Sequence, residues 1–377
     1  MNTKCISILI LVTTILAQTL TKDENRLRKE TCGKGLKLQG SYGRKVLNGV
    51  RSRITDAPWN VAIEVMAEKE SGLCTGTLIS NRHVITARHC FAFLGDDGYA
   101  WSTNVERIEG CQNENERDLV LKRNFSNMFK LYAGIGCGYR KHCPQSNFTS
   151  VEISKIILPK VCDDKQLDFD DFAIVELSEN LKFSERIRAI CVADDESVVF
   201  EKNIQMRLYG FGVDRMLSKE LLIIFDHLSA SSGNNSAGLL KYETVKAEKC
   251  FTTTNKAFCT RSISKKQLAC MVWILRIFQR KLFQFEGDSG GGVVRMVNNR
   301  ITVVGTIYQG VTCESFTRDE QDYVASVAYY SDDICEYTGI CSNNGDPLKR
   351  ETESSTTQKA DFSSILPVLL MCLIISK

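Results

Sequence analysis

Apolar residues along most of this chain come in runs of five to eight, separated by Gly, Asn, Asp and Ser. The clearest are WNVAIEV at 59–65, TGTLI at 75–79, HVITA at 83–87, FAIVEL at 172–177, QMRLYGFG at 205–212, GGVVRMV at 291–297 and ITVVGTIY at 301–308. Runs of this length, rich in β-branched residues and bounded by turn formers, predict strands. Many short strands at such spacing predict an all-β barrel or sandwich. Helical signals are few, the best being SDDICEYTG at 331–339, where Ser331 could cap a short C-terminal helix. No repeat at a fixed period is visible.

The two ends depart from this pattern. A lysine, an apolar run from Ile6 to Leu16 and small residues around Ala17 give residues 1–17 the organisation of a secretory signal. Residues 18–45 are polar and basic, too poor in apolar side chains for a core of their own, and read as a propeptide. The segment 343–377 is a polar, Ser/Thr-rich tail closing on ILPVLLMCLIISK, about a dozen apolar residues and too short to span a bilayer comfortably as a helix. Attachment to a membrane through a GPI signal and a simply apolar terminus both remain open for it.

Composition narrows the class. Forty-eight basic against 45 acidic residues leave a net charge of +3, so no general polyanion surface is implied and nucleic acid is not expected as a partner. Of 16 cysteines, Cys5 lies in the signal and Cys372 in the apolar tail, which leaves an even number between them for disulfides in a secreted protein. No CxxC pair occurs and His83, His89, His142 and His227 show no ligand spacing beside the cysteines, so no metal is expected. Sequons at Asn124, Asn147 and Asn234 fit a secreted surface.

Three strings carry the candidate chemistry: ITARHC at 85–90, DFAIVEL at 171–177 and GDSGGG at 287–292. A serine hydroxyl is a poor nucleophile near neutrality and needs an adjacent base, which an imidazole supplies. The imidazole in turn needs a buried carboxylate to orient it and to tolerate its charge. In the order His, Asp, Ser the strings resemble the chymotrypsin/trypsin-like serine peptidases. The segment LTKDENRLRKETCG further resembles the opening of a trypsin-like family expanded in nematodes, and the resemblance runs from residue 20 to about 341.

The resemblance implies two packed six-stranded antiparallel β-barrels over residues 46–342, with the site in the cleft between them. It implies His89 as base, Asp171 as its carboxylate, Ser289 as nucleophile, and the N–H groups of Gly287 and Ser289 as the oxyanion hole. Protein or peptide substrates would be hydrolysed without cofactor or metal. GRK before VLNG implies that an activating protease cuts after Lys45, freeing Val46 to pair with Asp288. The implied disulfides are Cys74–Cys90, Cys32–Cys191, Cys250–Cys259 and Cys270–Cys313, while Cys111, Cys137, Cys143, Cys162 and the pair Cys335, Cys341 are less clearly assigned.

Several positions depart from the family pattern. Arg88 stands where a small residue is usual, so it either crowds the site or points outward. Gly292 replaces a proline, and YQG at 308–310 replaces Ser-Trp-Gly. Sixteen residues, 271–286, separate Cys270 from Gly287 where the family has one, which reads either as a looped-out insertion or as translated intron. The specificity position falls on Leu268 or Phe283, both apolar, so cleavage after Lys or Arg is not expected; Asp319, Glu320 and Asp322 read as a solvated loop near the far side of that pocket. An alternative function is an inactive homologue that binds a partner outside the cell.

Overall fold

A computed structural model describes residues 19–38, 50–66, 71–95, 98–111, 116–138, 148–162, 171–201, 204–212, 238–251, 256–263, 270–271, 287–309, 311–312 and 321–342. The first half carries β1 (Val50–Arg51), β2 (Asn60–Met66), β3 (Ser71–Leu78), β4 (His83–Thr86), β5 (Ala92–Gly95), β6 (Gly98–Trp101), β7 (Leu119–Lys122), β8 (Phe129–Ala133), β9 (Thr149–Val151), β10 (Ile153–Leu158) and β11 (Ala173–Leu177). The second half carries β12 (Cys191–Val192), β13 (Met206–Gly210), β14 (Lys241–Glu248), β15 (Ala257–Ser262), β16 (Cys270–Met271), β17 (Gly292–Val297), β18 (Arg300–Gln309), β19 (Val311–Thr312) and β20 (Asp322–Ser326). Each of the seven apolar runs named above falls on one of these strands.

The strands form two bodies. In the first, eight strands lie in the order β7-β10-β11-β4-β3-β2-β8-β9, a curved half-barrel. In the second, β14, β13, β17, β18, β20 and β15 follow one another, and the β14–β15 pairing closes them into a six-stranded barrel. Closure removes the exposed edges of an open sheet. The barrel interior is filled by Met206, Leu208, Val245, Phe258, Val293, Val304, Ile307 and Val324. The fold is the all-β, trypsin-like double barrel, with few and short helices.

One helix lies where the sequence reading placed only a coreless polar segment. Residues Lys22–Thr31 are helical. The signal was local: the Thr21 hydroxyl accepts from the Glu24 N–H at 3.2 Å while Glu24 Oε2 accepts from the Thr21 N–H at 2.8 Å, a reciprocal cap. After the helix, Cys32 is disulfide-bonded to Cys191, and the Gly33 carbonyl accepts from the Ile301 N–H at 3.1 Å on β18.

Among the described residues, 19–27 and 332–342 make a small compact unit and 28–331 a larger one. In the smaller, the Leu20 N–H donates to the Thr338 carbonyl and Asn25 Nδ2 to the Cys341 carbonyl, while Cys335 is bonded to Cys341. The C-terminal helix runs Ser331–Thr338. Further disulfides join Cys74–Cys90, Cys111–Cys162 and Cys250–Cys259. The signal segment, the polar tail, the apolar terminus and Cys313 lie outside the described residues, among which no helix is long and apolar enough to cross a membrane.

Barrel closure has a charged clasp. Glu248, at the end of β14, takes an ion pair from Lys246 and one from Arg261 on β15, each at 2.9 Å, and Gln321 Nε2 donates to it at 3.2 Å. Burial works against its charge, but the hydrogen bonds from Lys246, Arg261 and Gln321 outweigh that and push the carboxyl down to about 2. The folded value lies below the ordinary 4.5, so its contribution is present above that pH and fades as pH falls towards about 2. Urea melts of Glu248→Gln should therefore show a smaller acid loss of stability than wild type across that window; parallel losses would refute the clasp.

Candidate active site

The neighbourhood of His89 and Asp171 follows from strand register. Thr86, the last residue of β4, pairs with Ala173, the first of β11. The strands are antiparallel, so the chain leaving β4 and the chain entering β11 pass beside each other. A 3-10 turn at Arg88–Cys90 then presents His89, and Asp171 stands two residues before β11.

Asp171 holds the histidine twice. Its Oδ1 accepts the His89 backbone N–H at 2.9 Å, and its Oδ2 lies 2.6 Å from His89 Nδ1. Both residues are buried. Burial alone would raise the Asp171 carboxyl, but the charge of His89, its ring hydrogen bond, the charge of Arg88 and the backbone N–H outweigh it, and the group titrates below its usual range. An ionised carboxylate only accepts, so the contact places a proton on Nδ1 and leaves Nε2 as the nitrogen at which the ring can take up a second one.

Ser289 reaches this corner from the loop before β17, and a threonine places it. The Thr75 N–H on β3 donates to the Ser289 carbonyl at 2.8 Å, and the Thr75 hydroxyl donates to the Gly287 carbonyl at 2.5 Å. The same hydroxyl accepts the Phe211 N–H at 3.1 Å, and the Thr75 carbonyl accepts the Thr86 hydroxyl at 2.8 Å. One residue thus ties the serine loop, the end of β13 and the strand leading to the histidine. The Ser289 carbonyl also lies 3.9 Å from Sγ of Cys90, next to His89. Ser289 itself is 2 % exposed. Sequence reading missed Thr75, because nothing in TGTLI separates a strand residue from a hub.

Two glycines shape the loop. Gly287 sits at φ +100°, where a side chain is strained, and a Cβ there would press on the Phe211 carbonyl. The Asp288 carboxylate occupies the space a side chain at Gly212 would need, and its Oδ1 accepts the Gly212 N–H at 2.8 Å. Val46, its expected partner, lies outside the described residues.

Arg88 does not point outward into solvent. It is 8 % exposed, its guanidinium carbon lies 5.4 Å from the Tyr99 ring centroid, and Nη1 is 3.4 Å from the Ala92 carbonyl. Asp322 is not in a solvated loop: it is buried on β20, opposite Thr260. Tyr308 is buried and Gln309 exposed at the end of β18. Leu268, Phe283, Asp319, Glu320, Gly310, residues 272–286, Asn147 and Asn234 lie outside the described residues. Cys74, His89 and Cys90 bring potential metal-binding atoms together, but the two cysteines are bonded to each other and offer no thiolate.

Comparison with known proteins agrees with this architecture. The chain is 26% identical to mouse tissue-type plasminogen activator over 285 residues, 71% of this chain and 41% of that protein. It is 26% identical to the rat tissue-type plasminogen activator over 299 residues, 75% of this chain and 43% of that one. Serine protease grass of Drosophila melanogaster is also 26% identical, over 178 residues, 46% of this chain and 38% of the relative. The chain thus spans about two-fifths of the length of these curated relatives. The model of the nematode trypsin-6-like family matches residues 2–341, and the chain belongs to that family.

Proposed function

We propose that this protein is a secreted serine endopeptidase in which Ser289 is the nucleophile, His89 the general base and Asp171 the carboxylate that orients it. The observation that carries the reading is the double hold of Asp171 on His89, which leaves Nε2 as the proton-accepting nitrogen. Ser289 Oγ attacks the substrate carbonyl carbon and its proton passes to His89 Nε2. The N–H groups of Gly287 and Ser289 stabilise the oxyanion, a service worth about 3 kcal/mol per donor in comparable sites. The imidazolium then protonates the leaving amine as the C–N bond breaks, and water, deprotonated by His89, releases the acyl group from Ser289. Protein or peptide substrates suit such a site.

The same reading includes activation and export. Cleavage after Lys45 by another protease frees the Val46 ammonium to pair with Asp288, a carboxylate already lodged against Gly212. The disulfides suit an oxidising, extracellular location. Asn124 is exposed, and its Oδ1 accepts both the N–H and the hydroxyl of Ser126, at 2.9 and 2.6 Å.

Three outcomes follow. Protein cut after Lys45 should take a fluorophosphonate label on Ser289; Ser289→Ala should take none, and Asp171→Asn should lower kcat by about four orders of magnitude. Failure of the processed wild type to label would leave a binding protein on a peptidase scaffold. Protein expressed through a eukaryotic secretory pathway should lose one glycosidase-sensitive mass step in Asn124→Gln, and an unchanged mass would remove that site. Transcripts sequenced across residues 271–286 should lack the insert if it is translated intron, whereas an abundant message retaining it makes it part of the protein.

A further inference from the structure

The buried Thr75 hydroxyl has one proton to donate and lone pairs to accept with, and both roles are filled by backbone beside the proposed nucleophile. It donates to the Gly287 carbonyl at 2.5 Å and accepts the Phe211 N–H at 3.1 Å. Among the described residues neither of those two groups has another partner. The Thr75 N–H donates in turn to the Ser289 carbonyl at 2.8 Å. The carbonyls on both sides of Asp288 are therefore held by one residue. Thr75 cannot follow the loop if it drifts, because it is paired with Ala62 on β2 and its own carbonyl accepts the Thr86 hydroxyl at 2.8 Å.

We propose that Thr75 is a positioning residue whose hydroxyl aims the Gly287 and Ser289 amides, and so acts on the bond-forming step at Ser289 rather than on substrate binding. The inference rests on the reading of Ser289 as nucleophile and of those two amides as its oxyanion hole. A peptide group is a rigid plane, so its N–H turns only when the whole plane turns. The plane that carries the Ser289 N–H lies between the two held carbonyls, and the Asp288 side chain at its start is itself fixed on the Gly212 N–H at 2.8 Å. The Gly287 N–H hangs from the same α-carbon as the carbonyl that the hydroxyl holds, on backbone at φ +100°.

Valine has nearly the volume and shape of threonine but neither donates nor accepts. In its place the Gly287 carbonyl and the Phe211 N–H would face a methyl group, and a buried polar group left so is costly. The loop can recover a partner for that carbonyl only by turning the Gly287 to Asp288 peptide, which moves the amide next to it. Oxyanion donors act on charge that develops in the transition state, so their misplacement appears in the rate of bond formation and not in ground-state binding.

The test compares Lys45-processed wild type, Thr75→Val, Thr75→Ala and Thr75→Ser, with melting temperatures measured on each. A fluorophosphonate is a fitting probe, because attack by Ser289 Oγ on phosphorus expels fluoride and places negative charge on the phosphonyl oxygen as it would on a carbonyl. Labelling is followed over a range of probe concentration, which separates the limiting rate from the half-saturating concentration. Thr75→Val should lose about tenfold to a hundredfold in limiting rate with little change in half-saturating concentration. Thr75→Ser, which keeps the hydroxyl, should recover most of that loss. Thr75→Ala should show the same split as valine and carries the test if the valine variant does not fold. A wild-type limiting rate in either folded variant would overturn the inference. A loss shared by Thr75→Ser, or one confined to the half-saturating concentration, would also overturn it and leave Thr75 a packing residue. All of these outcomes need a wild type that labels; one that does not removes the peptidase reading and takes the inference with it.

Discussion

The site depends on a carboxylate kept charged in the interior. Asp171 is 5 % exposed, and an ionised side chain taken out of water is stable only when its hydrogen-bonding capacity is filled and an opposite charge is near. His89 supplies two bonds to it, and Arg88 adds a cation. Breaking such a pair on one side costs about 3–5 kcal/mol in general, because it strands the other partner. The register of β4 against β11 sets this contact, so the half-barrel positions the histidine before any substrate is present.

The second constraint is the attachment of the serine loop to the first body. The proposed nucleophile belongs to the loop that enters the closed barrel, whereas the histidine and its carboxylate belong to the half-barrel. Thr75 joins them through backbone and hydroxyl together, and Ile307 on β18 accepts the Gly290 N–H at 2.8 Å from the other side. The serine loop is thus held by strands from both bodies. In sites of this kind an error of about 1 Å can cost on the order of a hundredfold in rate, which makes such ties part of the chemistry.

Local patterning was enough to reveal the strands, since β-branched residues and turn formers act over a few neighbours, and each of the seven runs falls on a strand. It was also enough to pick out HisCys, AspPhe and GlyAspSerGly as strings worth bringing together. The capping pair Thr21 and Glu24 is equally local, but the helix it starts lies in a segment too poor in apolar residues to show a helical period.

Other features had no local signature. Thr75 as a hub, Cys111 bonded to Cys162, Asp322 buried on a strand, and Arg88 folded inward over Tyr99 all depend on residues far away in the chain. Each is a choice between two environments that the same residue tolerates, such as solvent or an aromatic face for a guanidinium. Composition and order along the chain thus fixed the kind of architecture and the family to which the chain belongs. Which side chains meet, and which charges stay buried beside the histidine, was settled only when the sheets closed and brought distant neighbours within bonding reach.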